Sequence, residues 1–246
     1  MIVGIAAGAW AARAGAAPQQ PPAPQPPQTP RAAAPVDLTG YWVSVVTEDW
    51  RWRMLTPPKG DYTSIPLSAE GRRVGDTWDP AQAAKDGCKP FGGAAIMRVP
   101  GRLHITWVGD SVLKIETDAG QQTRLLQFDK TQRAGAERTW QGQSVAEWQI
   151  VSSGSGGRGA APQPRDGSLK VVTTNMRAGY YRKNGVSHSE NAEMTEYFDR
   201  HTDYGAEWFT VTTIVDDPKY LTQSFITSTH FKQEPDGAKW APMASE

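Results

Sequence analysis

From Gly40 onward the chain runs in short segments of alternating apolar and polar positions, rich in Val, Ile, Thr, Trp, Tyr and Phe and separated by turn residues. A period of two marks strands whose successive side chains face opposite sides. The pattern predicts ten strands, over residues 40–46, 50–56, 102–108, 112–117, 122–128, 143–151, 168–174, 192–199, 207–215 and 221–231, with tight connections at Gly109-Asp110 and Ala119-Gly120. Ten strands joined mostly by short links imply an antiparallel meander, and open edges would invite aggregation unless it closes. The expected fold is therefore all-β, an antiparallel up-and-down β-barrel or strongly curved sheet with one short helix. That helix is predicted over residues 68–78, with Ser68 as N-cap, Glu70 in the first turn and Pro80 beyond the end. Residues 152–167, almost wholly Ser, Gly, Ala, Pro, Arg and Gln, read as a flexible loop between two strands.

The start of the chain has a different pattern. Residues 1–17 form an apolar, Ala/Gly-rich run ending in small residues, as a secretory signal does, although no positive stretch precedes it. Arg13 interrupts the run, so it is too short for a membrane span. Residues 18–36 are a Pro-rich linker, expected to be disordered and to add nothing to the fold. Residues 37–246 make up one domain, long enough to bury a sizeable core. A periplasmic or secreted location follows from this reading.

Charge and composition narrow the function. With 26 basic and 26 acidic residues, the chain has no net charge to draw it to a phosphate backbone, so nucleic acid is not an expected partner. One Cys and four His without helical metal-ligand spacing argue against a metal, and no cofactor motif appears. Cys88 lies in a Gly/Pro-rich loop and reads as a buried or bridging thiol rather than a nucleophile. Oligomeric state is not readable.

Two resemblances bear on the body. Gly40-Tyr41-Trp42 resembles the G-x-W at the first strand of lipocalin-like barrels, where the Trp plugs one end. The blocks Thr139 to Ser144, Gly167 to Thr174, Asn184 to Glu190, Thr195 to Phe198 and Thr212 to Pro218 resemble those of a large group of exported, uncharacterised bacterial proteins. In that group they run as T-W-x-G-x-S, D-x-L-V-V-x-T, G-x-P-H-S-E and D-D-P, and here Ser187 stands in place of the usual Pro. The resemblance implies no catalytic assignment.

Candidate chemistry therefore comes from individual residues. Glu196 shares its strand phase with Met194 and Phe198, so it should face the core, where a carboxylate needs a partner. Arg53, Arg51 and Arg98 are the expected partners. Either an ion pair that fixes the barrel or an acid/base group with a raised pKa fits that position. His104, out of phase with Leu103 and Ile105, should face solvent, or the interior if the barrel is hollow. His188 lies in a turn beside Ser189 and Glu190, where it either caps backbone or serves a site at the barrel mouth. Trp50 and Trp52, expected on one strand face beside Arg51 and Arg53, would suit a planar or anionic ligand.

Three functions remain open. The first is a binding module for a small, partly apolar or anionic molecule in a barrel cavity. The second is a cofactor-independent lyase, isomerase or hydrolase using Glu196 with a His and an Arg. The third is a structural or interaction protein with a filled barrel.

Overall fold

The computed structural model describes residues 28–133, 137–151 and 166–244. In chain order the strands are β1 (Gly40–Val45), β2 (Arg102–Val108), β3 (Val112–Thr117), β4 (Ala119–Gly120), β5 (Thr123–Gln127), β6 (Gln143–Val151), β7 (Asp166–Thr174), β8 (Gly179–Arg182), β9 (Val186–His188), β10 (Glu193–Asp203), β11 (Ala206–Asp216), β12 (Phe225–Glu234) and β13 (Met243–Ala244). Three short helices, α1 (Trp50–Arg53), α2 (Ala69–Gly75) and α3 (Gly93–Ile96), and three 3-10 turns lie between them, where one helix was expected. Ser68 does cap α2, accepting the Gly71 N–H at 3.1 Å.

Nine strands close a barrel in the order β1-β12-β11-β10-β7-β6-β5-β3-β2, which follows the chain around the ring. A ring of strictly alternating strands needs an even number, so nine strands force one parallel pair. That pair is β5 and β6, in register only at Leu126↔Ser144 and Gln127↔Val145. The two are joined by the long connection a parallel pair needs, of which residues 128–133 and 137–142 are described. The expectation of an antiparallel sheet throughout is corrected at this seam; the other eight pairings of the ring are antiparallel. At the opposite extreme, β10 and β11 meet in a tight hairpin where Tyr204 (φ 48°) and Gly205 (φ 68°) both take left-handed backbone, matching the strand twist.

The interior is filled by side chains. Trp42, Ile105, Leu113, Ile115, Leu126, Leu169, Val171, Phe198, Phe209, Val211 and Phe231 form one buried cluster. Trp42 lies edge-on to Phe209 at 4.7 Å and donates its indole N–H to Leu38 O at 3.0 Å. Nearer the other end a polar belt takes over, made of Arg124, Ser144, Thr173, Glu196, Thr213, Thr227 and Thr229, all buried.

Long connections gather at that end. Residues 46–101 and 175–192, together with 217–224, build a cap with its own apolar cluster, including Tyr62, Ile65, Met176, Tyr181, Val186, Leu221 and Phe225. Inside the cap, Gly185 (φ 78°) is required twice over, since a Cβ there would also stand 2.2 Å from Trp78 Cγ.

Three further expectations are corrected. Residues 50–56 are not a strand, because the chain leaves the barrel at Val45 with no ladder to join and turns at Asp49 (φ 51°) into α1. Residues two apart on a helix point to nearly opposite sides, so Trp50 and Trp52 do not share a face. The final strand begins at Phe225, not at residue 221, while Leu221 bridges to Leu67 in the cap. Finally, residues 28–36 lie across the far end of the barrel: Trp148 donates its indole N–H to Pro30 O at 2.8 Å, Arg31 N donates to Asp110 O at 3.1 Å, and Val36 packs on the core. The expected 152–167 loop falls mainly outside the described residues, and Asp166 and Gly167 already belong to β7. No helix among the described residues is long and apolar enough to cross a membrane.

Candidate functional site

Cap residues from three separate stretches meet in a pocket of about 30 Å³ beside the barrel mouth, lined by Trp52, Arg53, Arg98, Tyr181, Arg182 and their neighbours. Each element brings its residue for a local reason. The single turn of α1 turns Arg53 inward, 6% exposed, and leaves Trp50 outside, 64% exposed. Arg98 follows α3, whose residues Gly93 to Ile96 are all buried. Arg182 ends β8, a strand buried on both faces.

Two of these arginines are balanced. Arg53 is paired with Glu48 and donates through Nε to Arg98 O at 2.9 Å. Arg98 donates through Nη2 to Asp49 Oδ2 at 2.7 Å. Arg182 is different: it is 4% exposed, and its Nε, Nη1 and Nη2 are all buried with no hydrogen-bond partner among the described residues. The Trp52 ring, 4.8 Å from its guanidinium carbon, covers one face. Arg53 Nη2 and Arg98 Nη1 are likewise buried and unpartnered, so five guanidinium nitrogens have donors to spare. Burial, and then the Arg98 charge, bring the Arg182 guanidinium down from 12.5 to about 10. Burial also lowers Arg53, against the pull of Glu48. Arg182 is thus a buried positive charge with no hydrogen-bonded counter-charge among the described residues, Lys183 adds a second cation to the lining, and an anion is their complement.

Other candidates lie elsewhere. Glu196 does face inward, at 0% exposure, but its partner is Arg124, not Arg53, Arg51 or Arg98. The pair is bidentate, Nη1 to Oε1 at 3.1 Å and Nη2 to Oε2 at 2.6 Å. Thr173 joins it from 3.4 Å and Ser144 lies 2.8 Å behind Thr173. The three expected partners are met by other acids, Arg53 by Glu48, Arg98 by Asp49 and Arg51 by Asp61, and Arg124 reaches Glu196 across the barrel because it shares its strand phase with Leu126. That phase is visible in the sequence and would have found Arg124. Arg182 had no such signal, since β8 is buried on both sides and does not alternate.

His188 is buried in the cap, where its Nδ1 donates to Ser189 O at 3.1 Å and its ring lies 5.5 Å from that of Tyr181. Its Nε2 has no partner among the described residues, and burial lowers its pKa. The neighbouring Ser189 hydroxyl donates to Asp217 at 2.7 Å rather than to the imidazole, so two sequence blocks, 184–190 and 212–218, are pinned together without forming a nucleophile and base. His104 lies on the outer face of β2, stacked on Tyr41 at 4.2 Å and 3.3 Å from Glu116 Oε2. Glu196, His188 and His104 thus occupy barrel interior, cap and outer surface. Arg51 points outward, 3.7 Å from Asp61. Of the five residues expected at a ligand, Arg53, Arg98 and Trp52 come together, and Trp50 and Arg51 do not line the pocket. Among the described residues no group of three or more His, Cys, Asp or Glu is placed to hold a metal ion.

Comparison with protein-family models, curated proteins and solved structures finds no match for this chain.

Proposed function

We propose that the chain is an exported binding module that takes a small monoanionic group, a carboxylate or comparable oxyanion, in the arginine pocket of its cap. The observation that carries this reading is Arg182, a buried guanidinium whose three nitrogens have no hydrogen-bond partner among the described residues, beside two arginines whose charges are already met. Burying a charge without a partner costs several kcal/mol, and a bound anion offsets that cost. The pocket size suits the acidic head of a ligand and not the body of one. In this reading the barrel is a lipocalin-like scaffold with a packed interior, and the site lies in the cap above it. Acid/base catalysis draws no support from Glu196, His188 and His104, which stand apart, and the Arg124–Glu196 pair is read as structural.

Calorimetric titration of the wild type and Arg182→Gln with sodium acetate and sodium phosphate at fixed ionic strength tests the proposal. Saturable binding of either anion at millimolar concentration, lost in Arg182→Gln, is expected. No saturation in the wild type, or equal binding by the variant, overturns it.

A further inference from the structure

The parity defect of the barrel leaves a second, chemically different recess. β6 meets β5 at only two register positions, and residues from both sides of that seam, within 122–129 and 139–145, line a recess. A cleft of about 440 Å³ opens there. We propose that this cleft binds a neutral sugar or other polyhydroxylated molecule.

Four glutamines line it, Gln122, Gln127, Gln141 and Gln143, with Trp140 and Leu125 as apolar surface. An amide offers a donor pair and an acceptor without charge, which matches a hydroxyl that both donates and accepts. The indole supplies a flat face of the kind that takes the C–H side of a sugar ring. Two of the amides are held in place beforehand. Gln122 donates to Gly120 O at 2.6 Å, while Gln141 donates to Gln122 Oε1 at 3.0 Å and to Phe91 O at 2.7 Å. That leaves Gln141 Oε1 as a buried acceptor with no partner among the described residues. Trp140 is fixed as well: its carbonyl accepts the Gly93 N–H at 2.8 Å, and the Arg177 guanidinium lies 5.7 Å from its ring centroid. The charged residue on the lining, Asp129, already accepts from Thr131 N and Oγ1 at 2.8 and 2.7 Å, so the recess does not call for an ion. Prearranged amides and a fixed aromatic face reduce the ordering cost of binding, as a weakly held hydrophilic ligand requires.

The test is saturation-transfer NMR on the full chain with a panel of probes: the methyl glycosides of glucose, galactose, mannose and N-acetylglucosamine, and the disaccharides maltose, cellobiose, lactose and chitobiose. At least one should bind saturably. Trp140→Ala should weaken it about tenfold or more, the size of one lost aromatic contact. Leu125→Arg, at a side chain already 45% exposed, fills the recess without disturbing the core and should abolish binding while the melting curve stays unchanged. Arg182→Gln should leave it intact. Failure of every probe, binding that survives Leu125→Arg, or capture of an apolar dye but no sugar overturns the proposal.

Discussion

Glu196 and Arg124 show how far one pair of buried charges can be read. The glutamate's phase with Met194 and Phe198 put it inside the barrel, and there it is, but phase says nothing about which of several arginines will reach it. Because the pair is fully buried, Glu196→Gln should destabilise the chain by about 3 kcal/mol, leaving Arg124 without its counter-charge. Denaturant titration reads this directly, and a loss under about 0.5 kcal/mol would contradict it. Replacing both residues with Leu or Met should cost far less than the sum of the single changes. His188 makes a pH prediction. Burial holds its pKa below the usual histidine value, so the folded chain keeps it neutral while the unfolded chain takes up a proton as pH falls through about 6.5. Its contribution to stability is present above that pH and is lost on acidification, at up to about 1.4 kcal/mol per unit. The stability difference between wild type and His188→Asn should therefore shift in favour of the variant between pH 7.5 and 5.5. A constant difference would contradict the assignment.

At the scale of elements, most barrel strands were legible because each carries its own alternation, as in β2, β3 and β6, whose bounds agree with the pattern. Trp50 to Arg53 misled for the same reason: a W-R-W-R run has period two whatever its backbone does, and what decided for a helix was the lack of a neighbouring strand to pair with. The strap over residues 28–36 was missed because proline-rich composition reports on regular structure and says little about docking. Trp148 and Val36 give it a physical role. A chain beginning at residue 37 should be less stable than one beginning at residue 28, by roughly 2 kcal/mol for one half-buried Val and one indole hydrogen bond. Coincident denaturant midpoints for the two chains would show that the strap adds nothing.

For the molecule as a whole, closure was foreseeable from the need to hide edges, but the odd strand count was not, since it depends on which runs leave the barrel for the cap. The arginine pocket was half legible. Arg53, Arg98 and Trp52 were singled out for the wrong partner and the wrong backbone, and Arg182 gave no periodic signal. What the assembled site carries is a cost: burial and the neighbouring Arg98 charge bring Arg182 down from 12.5 to about 10, so the folded chain holds this guanidinium charged against an unfavourable environment at neutral pH. Residues that cost stability and line a pocket are where function is expected to reside. The most direct test compares the unfolding free energies of wild type and Arg182→Met, each with and without sodium acetate at fixed ionic strength. The account predicts that the variant is at least as stable as the wild type without acetate, and that acetate stabilises the wild type alone. A variant several kcal/mol less stable, or one that responds to acetate as the wild type does, would contradict it.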